Sequence, residues 1–319
     1  MENETIIGLG TAAIGRPSYI NIKDNQEEVS LEVFKQTGPK VLTKAYELGV
    51  RYFDTAPGYG MAEELLTNWI SEFNNKIQDI SVGTKWGYTY VANFDKNATV
   101  HEIKDHSIEK LTEQWHTSKG FSHHLSYYQI HSAGFDTNVL FDEKVLAKLH
   151  EIKKQTGIKI GISTTGAEQV KTIEKALEIK EENEFLFDSF QVTYNMLDQS
   201  LRTILGKLKA LKKTVIVKEA LANGRLFSND NYPEYAPVYN ALNLLANKYQ
   251  VGVDAVALRF VMDSIQPTIV LSGASSCEQI EQNLKAMTFK LTSEEVQMLT
   301  AFKVSPEHYW LERKKLAWN

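Results

Sequence analysis

The chain has 319 residues, 43% hydrophobic and 24% charged, which leaves room for two ordinary domains or one large α/β barrel. Its formal net charge of −5 gives no electrostatic reason to expect nucleic acid or an anionic membrane as partner. The acidic start Met1-Glu2-Asn3-Glu4, the lone Cys277 and the lack of any apolar run near the roughly 20 residues that span a bilayer point to a cytoplasmic protein without disulfides.

Residues 5–10 read as a short apolar strand ending in Gly8-Leu9-Gly10. The Gly8-x-Gly10-x-x-Ala13 spacing suggests a dinucleotide-binding turn, but that turn needs a helix opening directly after the glycines. Pro17 follows, and the polar stretch to Ser30 has no helical period, so this reading is set aside. A helix is predicted over 32–48, with Phe34, Val41, Leu42 and Ala45 as its apolar stripe. Strand 50–53 runs into Asp54, and the turn Thr55-Ala56-Pro57-Gly58 brings Tyr59 to a helix over 63–73. Strand 77–84 leads to Lys85, then an aromatic loop with Trp86, Tyr88 and Tyr90, then a helix over 100–115.

Strand 125–130 ends at His131, and helix 143–155 leads to strand 159–162 and Ser163-Thr164. Helix 168–179, a strand within 185–192 that carries Gln191, helix 200–211 and strand 214–217 with Lys218 at its end continue the alternation. Helices over 238–249 and 253–262 precede strand 268–271 and the turn Ser272-Gly273-Ala274-Ser275-Ser276. A helix over 277–287 and a last one from Ser293 follow, with Thr292 as a capping candidate. Eight strands alternating with helices fit an open doubly wound sheet or a closed (β/α)8 barrel. The count of eight favours the barrel, as one domain over 1–319.

In such a barrel the site lies at the C-terminal strand ends, which here deliver Asp54, Lys85, His131, Ser163, Gln191, Lys218 and Ser272. Asp54, Lys85 and His131 come from consecutive, hence neighbouring, strands and can converge on Tyr59. A free phenol titrates near 10 and donates its proton poorly at neutral pH. A lysine ammonium beside it favours phenolate and lowers that value, and an aspartate keeps the ammonium placed. A neutral histidine can hold and polarise a carbonyl oxygen. Tyr59 could then protonate the alkoxide formed by hydride addition, but none of these groups supplies hydride, so a nicotinamide cofactor is implied.

These residues carry a family likeness. Gly8-Leu9-Gly10-Thr11, Phe53-Asp54-Thr55-Ala56-x-x-Tyr59-Gly60-x-x-Glu63, Thr84-Lys85 and Tyr128-Gln129-Ile130-His131 together resemble the aldo-keto reductase family over essentially the whole chain. The resemblance implies a (β/α)8 barrel that interconverts carbonyls and alcohols with NADP(H) or NAD(H), with Asp54, Tyr59, Lys85 and His131 as catalytic tetrad. It further implies cofactor contacts from Gly10, Thr11, Ser163, Thr164, Gln191, Lys218 and Leu221, and from Gly273, Ser275, Gln279 and Asn283 at the adenosine end. The last group is independently sensible, because loops after the final barrel strands and a helix N-terminus commonly hold phosphate. No metal is expected. The start of the chain and the Thr55–Gly60 pattern resemble the aldose and sugar dehydrogenase branches.

Three positions depart from the family pattern. Thr164 replaces a common Asn, Lys218 replaces an aromatic residue that often stacks on the nicotinamide, and Gln279 replaces an Arg that some relatives use for the 2′-phosphate. No Lys or Arg lies between Ser272 and Asn283, so both NAD and NADP are expected to bind. Trp86 and Tyr88 are the first candidates for a substrate wall, with Tyr90, Tyr19 and Trp310 behind them. Tyr309-Trp310 and Trp318 form either a substrate loop or an anchor for the tail. Two other functions fit the same residues: a Schiff-base lyase of aldolase type using Lys85 or Lys218, or a cofactor-binding regulatory subunit with little turnover.

Overall fold

The computed structural model describes residues 4–17, 22, 30–73, 77–95, 97–121, 123–181 and 183–318; Tyr19 lies outside them. Among the described residues eight parallel strands close a barrel: β1 (Ile6–Gly10), β2 (Tyr52–Asp54), β3 (Ser81–Trp86), β4 (Leu125–Ala133), β5 (Lys159–Thr164), β6 (Ser189–Thr193), β7 (Thr214–Lys218) and β8 (Ile269–Ser272). Each pairs with its neighbours in the chain, and β8 closes on β1 through Leu9↔Ser272, so the open-sheet alternative is excluded. A one-turn helix, Ala12–Gly15, does open directly after β1, contrary to expectation. Yet β1 is hydrogen-bonded on both sides within the closed barrel.

Strand alternation separates two faces. Phe53, Val82, Tyr128, Ile130, Ile160, Ile162, Phe190, Val192, Val215, Val217 and Val270 join the helices in one continuous apolar core. The other parity points inward, as one hydrogen bond proves: Gln191 Nε2 on β6 donates to Asp54 Oδ1 on β2 at 2.7 Å. These strands are not neighbours, so the bond must cross the barrel interior. Beneath it Tyr52, Tyr127, Ile216, Ile269 and Leu271 form a separate apolar plug. Gly83 makes room for it, since a Cβ there would lie 2.1 Å from the Tyr52 hydroxyl oxygen.

Several predicted elements change. The helix expected over 100–115 begins only at Ile108 and runs to Ser118, capped by the Ser107 hydroxyl. The residues before it form strand Glu102–Lys104, antiparallel to Tyr88–Tyr90. The aromatic loop is therefore a two-stranded ribbon standing beside the barrel mouth. β4 continues through His131 to Ala133, with a register shift between Ile130 and Ala133. Thr292 forms a full capping box with Glu295. Beyond it lies a helix not expected from the sequence, Pro306–Lys315, capped by Ser305 with proline at its start. No helix among the described residues is long and apolar enough to cross a membrane.

Candidate active site

Tyr59 is placed by glycines. Gly60 adopts φ +64°, and its missing side chain lets the loop close on the Ala12–Gly15 turn: a Cβ at Gly15 would lie 2.2 Å from the Tyr59 carbonyl oxygen. Met61 N–H donates to the Gly15 carbonyl at 2.9 Å, and the buried Arg16 donates to the Gly58 carbonyl at 2.8 Å and Glu102 at 2.7 Å. The Arg16 guanidinium stands 5.4 Å from the centre of the Tyr59 ring.

The four residues of the predicted tetrad come together. Lys85 Nζ lies 2.5 Å from Asp54 Oδ2, 3.0 Å from the Thr55 carbonyl oxygen and 4.8 Å from the Tyr59 ring centre. Tyr59 Oη is 3.5 Å from His131 Nε2, the two rings edge to face at 88°. Tyr88 also packs against His131, with ring centres 4.7 Å apart and the planes tilted at 57°.

The electrostatics differ from expectation at Tyr59. Its phenol is held well above the ordinary value, first by burial and then by the negative charge of Asp54. Lys85 does not prevail, because its ammonium is already paired with that aspartate. His131 is pushed well below the ordinary imidazole range, by burial and then by the cations Lys85, Arg16 and Lys218. At neutral pH the pair is thus a neutral phenol and a neutral imidazole. Tyr88 is also raised, to about 12, chiefly by burial.

His106 is a site residue that the sequence did not single out. Its Nε2 lies 2.9 Å from the His131 carbonyl oxygen and its Nδ1 2.7 Å from the Thr137 hydroxyl. A carbonyl only accepts, so Nε2 carries the proton and Nδ1 accepts from Thr137. The ring fits because Gly87, at φ +108°, has no Cβ; one there would lie 2.2 Å from His106 Cδ2. Next to His131, Ser132 takes φ +52° and donates its N–H to Ser163 Oγ at 2.7 Å. His106 and Ser163 thus grip the β4 irregularity that carries His131. No motif surrounds His106, and its only sequence signal is a histidine before a helix cap.

The predicted cofactor residues divide. Gly10 pairs with Asp54 at the top of β1, and Ser163 faces inward opposite Gln191. Ser163 Oγ accepts from Ser132 and keeps its own proton to donate, while Gln191, which donates to Asp54, keeps its Oε1 as an acceptor. One donor beside one acceptor complements a carboxamide. Lys218 also faces inward, donating to Thr193 Oγ1 at 2.8 Å. Leu221 packs partly buried against the outer core. Gly273 borders open space, since a Cβ there would meet nothing within 4 Å. Gln279 Oε1 accepts from Ser275 N at 2.8 Å, pre-shaping the turn. Asn283 Nδ2 donates to Ser272 Oγ at 2.7 Å.

Three expectations are corrected. Thr164 has outward parity, is fully buried and turns its hydroxyl to Gln169 and the Gln191 carbonyl. The Thr11 hydroxyl is bound to the Asp54 carbonyl at 2.9 Å. Both hydroxyls brace the barrel frame. Trp86 likewise points outward, 0% exposed, with its ring edge-on to His106; it backs the site and does not wall it. Tyr309 and Trp310 anchor the tail through Asn195 and Asp198. Trp318 reaches the mouth, stacked on His101 at 4.3 Å with the Arg16 guanidinium 4.8 Å from its ring.

Comparison with known proteins gives the family and the fold of the chain. The family model described as "Aldo/keto reductase family" matches residues 6–303. An aldo-keto reductase of Bacillus subtilis is 24% identical over 320 residues, covering 91% of this chain and 87% of its own. A glycerol dehydrogenase from Gluconobacter oxydans superposes with a TM-score of 0.69 at 21% identity, covering 95% of both chains. A Bombyx mori aldo-keto reductase in complex with NADP superposes at 0.65 and 20% identity, covering 93% of this chain and 89% of its own.

Proposed function

The chain belongs to the aldo/keto reductase family, whose members are oxidoreductases that use NAD(P)H, and we propose that it interconverts a small carbonyl compound and its alcohol with Tyr59 as general acid and base. The observation that carries this reading is the convergence of Tyr59, His131 and the Lys85–Asp54 pair at one end of the barrel. When bound, the nicotinamide dinucleotide supplies the hydride. Ser163 and Gln191 would hold its carboxamide through the donor and acceptor they keep available, and the Gly273–Ser276 turn with the following helix N-terminus would hold its phosphates.

The rest of the chemistry belongs to this chain. His131, neutral and carrying its proton on Nε2, donates to the carbonyl oxygen and holds it beside Tyr59 Oη. As negative charge develops on that oxygen, Lys85 and Arg16, the cations that after burial most favour a neutral His131, also stabilise it. The Tyr59 phenol passes its proton to the oxygen, and the phenolate left behind faces the Lys85 ammonium 4.8 Å from its ring. Asp54, held by both Lys85 and Gln191, keeps that ammonium in place. Lys85 Nζ is engaged by Asp54 and by the Thr55 carbonyl, which turns it away from attack on a substrate carbonyl. Tyr88, tilted against His131, is the wall against which an aldehyde, ketone or sugar would lie.

The test is carbonyl-dependent loss of NADH or NADPH absorbance by the wild type and by Tyr59→Phe. The variant should lose at least a hundredfold in rate while dinucleotide affinity stays within about twofold. Activity within tenfold of the wild type would show that Tyr59 is not the acid.

A further inference from the structure

Lys218 is a charged group of the inward-facing rim that the chemistry above does not need for proton transfer. It stands two residues beyond Ile216, which belongs to the apolar plug inside the barrel, so alternation turns it to the same interior face. The register Thr193↔Lys218 sets it beside β6, and its Nζ donates to the Thr193 hydroxyl. Glu219 is its carboxylate neighbour, 3.9 Å away, and is already engaged by Arg313 at 3.0 Å and 3.2 Å and by the Tyr309 hydroxyl at 3.2 Å. Across the mouth, by contrast, Lys85 and Asp54 neutralise each other at contact distance. His131 is held neutral by burial first, then by Lys85, Arg16 and Lys218 in that order.

A ring that passes hydride to a carbonyl held by Tyr59 and His131 cannot sink into the barrel, which Tyr52, Tyr127, Ile216, Ile269 and Leu271 fill. It would lie across the rim, toward the facing residues Ser163, Gln191 and Lys218. A reduced nicotinamide ring is neutral, whereas the oxidised ring carries a positive charge. We propose that Lys218 makes this site select the redox state of its dinucleotide, binding the reduced form in preference to the oxidised one. This rests on the nicotinamide-dependent reading above. Two unit charges several ångströms apart at an effective dielectric near 20 repel enough for roughly a hundredfold in affinity. Glu219 offsets part of this, leaving a preference of about tenfold. The consequence is a site that NADH or NADPH fills easily and from which the oxidised product leaves readily, suited to reduction.

The experiment is equilibrium binding to the full chain, without substrate, of the reduced and oxidised forms of NAD and of NADP, by calorimetry. The wild type should bind the reduced form about tenfold more tightly. Lys218→Met should bring the two affinities within about twofold of each other, chiefly by tightening the oxidised form, and Lys218→Arg should keep the wild-type ratio. A wild-type ratio near one, or an unchanged ratio in a Lys218→Met protein that binds both forms, overturns the proposal. The wild-type arm stands even if the methionine variant does not fold. Binding of neither form to the wild type would instead overturn the nicotinamide-dependent reading, and this proposal with it.

Discussion

Replacing His106 with leucine tests whether the site's geometry is held from behind. The ring makes two hydrogen bonds, one to the His131 carbonyl and one to Thr137, and its removal leaves a buried carbonyl without a donor. Such an unpaired group costs about 1–3 kcal/mol, and the branched leucine does not reproduce the fit of the flat ring edge-on to Trp86. A fall of about 2–4 kcal/mol in unfolding free energy at pH 7 is expected. The pH dependence is more telling. Burial, and next the charge of Lys104, lowers the His106 pKa from 6.5 to about 4. The unfolded chain therefore binds a proton below 6.5 that the folded chain refuses until about 4. Stability from this group is complete above 6.5 and falls as pH drops toward 4. Between pH 7 and 5 the wild type should lose about 2 kcal/mol through His106 alone, and the leucine variant, having nothing to titrate, should not.

Urea unfolding of both proteins at pH 7, 6 and 5 measures this: the stability gap between them should shrink by about 2 kcal/mol across the range. In parallel, kcat/KM should fall about tenfold in the leucine variant with dinucleotide affinity unchanged, and His106→Gln, which can still donate to the carbonyl, should recover part of it. A gap that stays constant or widens with acid would refute the assignment of a buried neutral His106. Full activity in the leucine variant would refute its hold on His131.

Other expectations follow from the same geometry. Asp54→Asn removes the charge that helps raise the Tyr59 phenol, so the alkaline limb of the pH–rate profile for reduction should move to lower pH. The same change strands a buried ammonium and should cost about 3–5 kcal/mol of stability; an unmoved limb would show that Asp54 does not act on Tyr59. Glu219 is driven up by burial but held down to about 2 by Arg313 and Lys218. Its contribution is present in full above 4.5 and is lost as pH falls toward 2, and Glu219→Gln should lower stability at neutral pH by roughly 3 kcal/mol, measured by denaturant unfolding. Because Gln279 ties the Ser275 turn without a cation, KM values for NADH and NADPH should lie within a hundredfold of each other. A larger preference for either would show that another residue recognises the 2′-phosphate.

Much of the barrel and the identity of its rim were legible in the chain, because both follow from short-range rules. Alternation at period two, short connections and polar residues at strand ends place Asp54, Lys85 and His131 on consecutive strands, and a Pro-Gly turn brings Tyr59 back beside them. The same rules misplace elements where local preference is weak. The 102–104 strand exists only because it pairs with 88–90. The 306–315 helix has no clear apolar stripe to announce it, and its buried face is set by contacts with Asn195, Asp198, Glu219 and Arg225.

Which way a strand-end side chain points was decided by the tertiary structure. A one-residue difference in where a strand stops turns Thr164 and Trp86 to the helices and leaves Ser163 and Lys85 in the barrel. The bonds that complete the site are also long-range, 137 residues between Asp54 and Gln191 and 72 between Tyr59 and His131, and no local pattern encodes them. The charge state of Tyr59 is the clearest case. The chain alone places a lysine beside it and suggests an easier phenol, whereas the folded site buries the phenol and pairs that lysine with Asp54, so burial and the carboxylate prevail. Composition and spacing determine which groups meet; only their packing determines how much water and which counter-charge each one keeps.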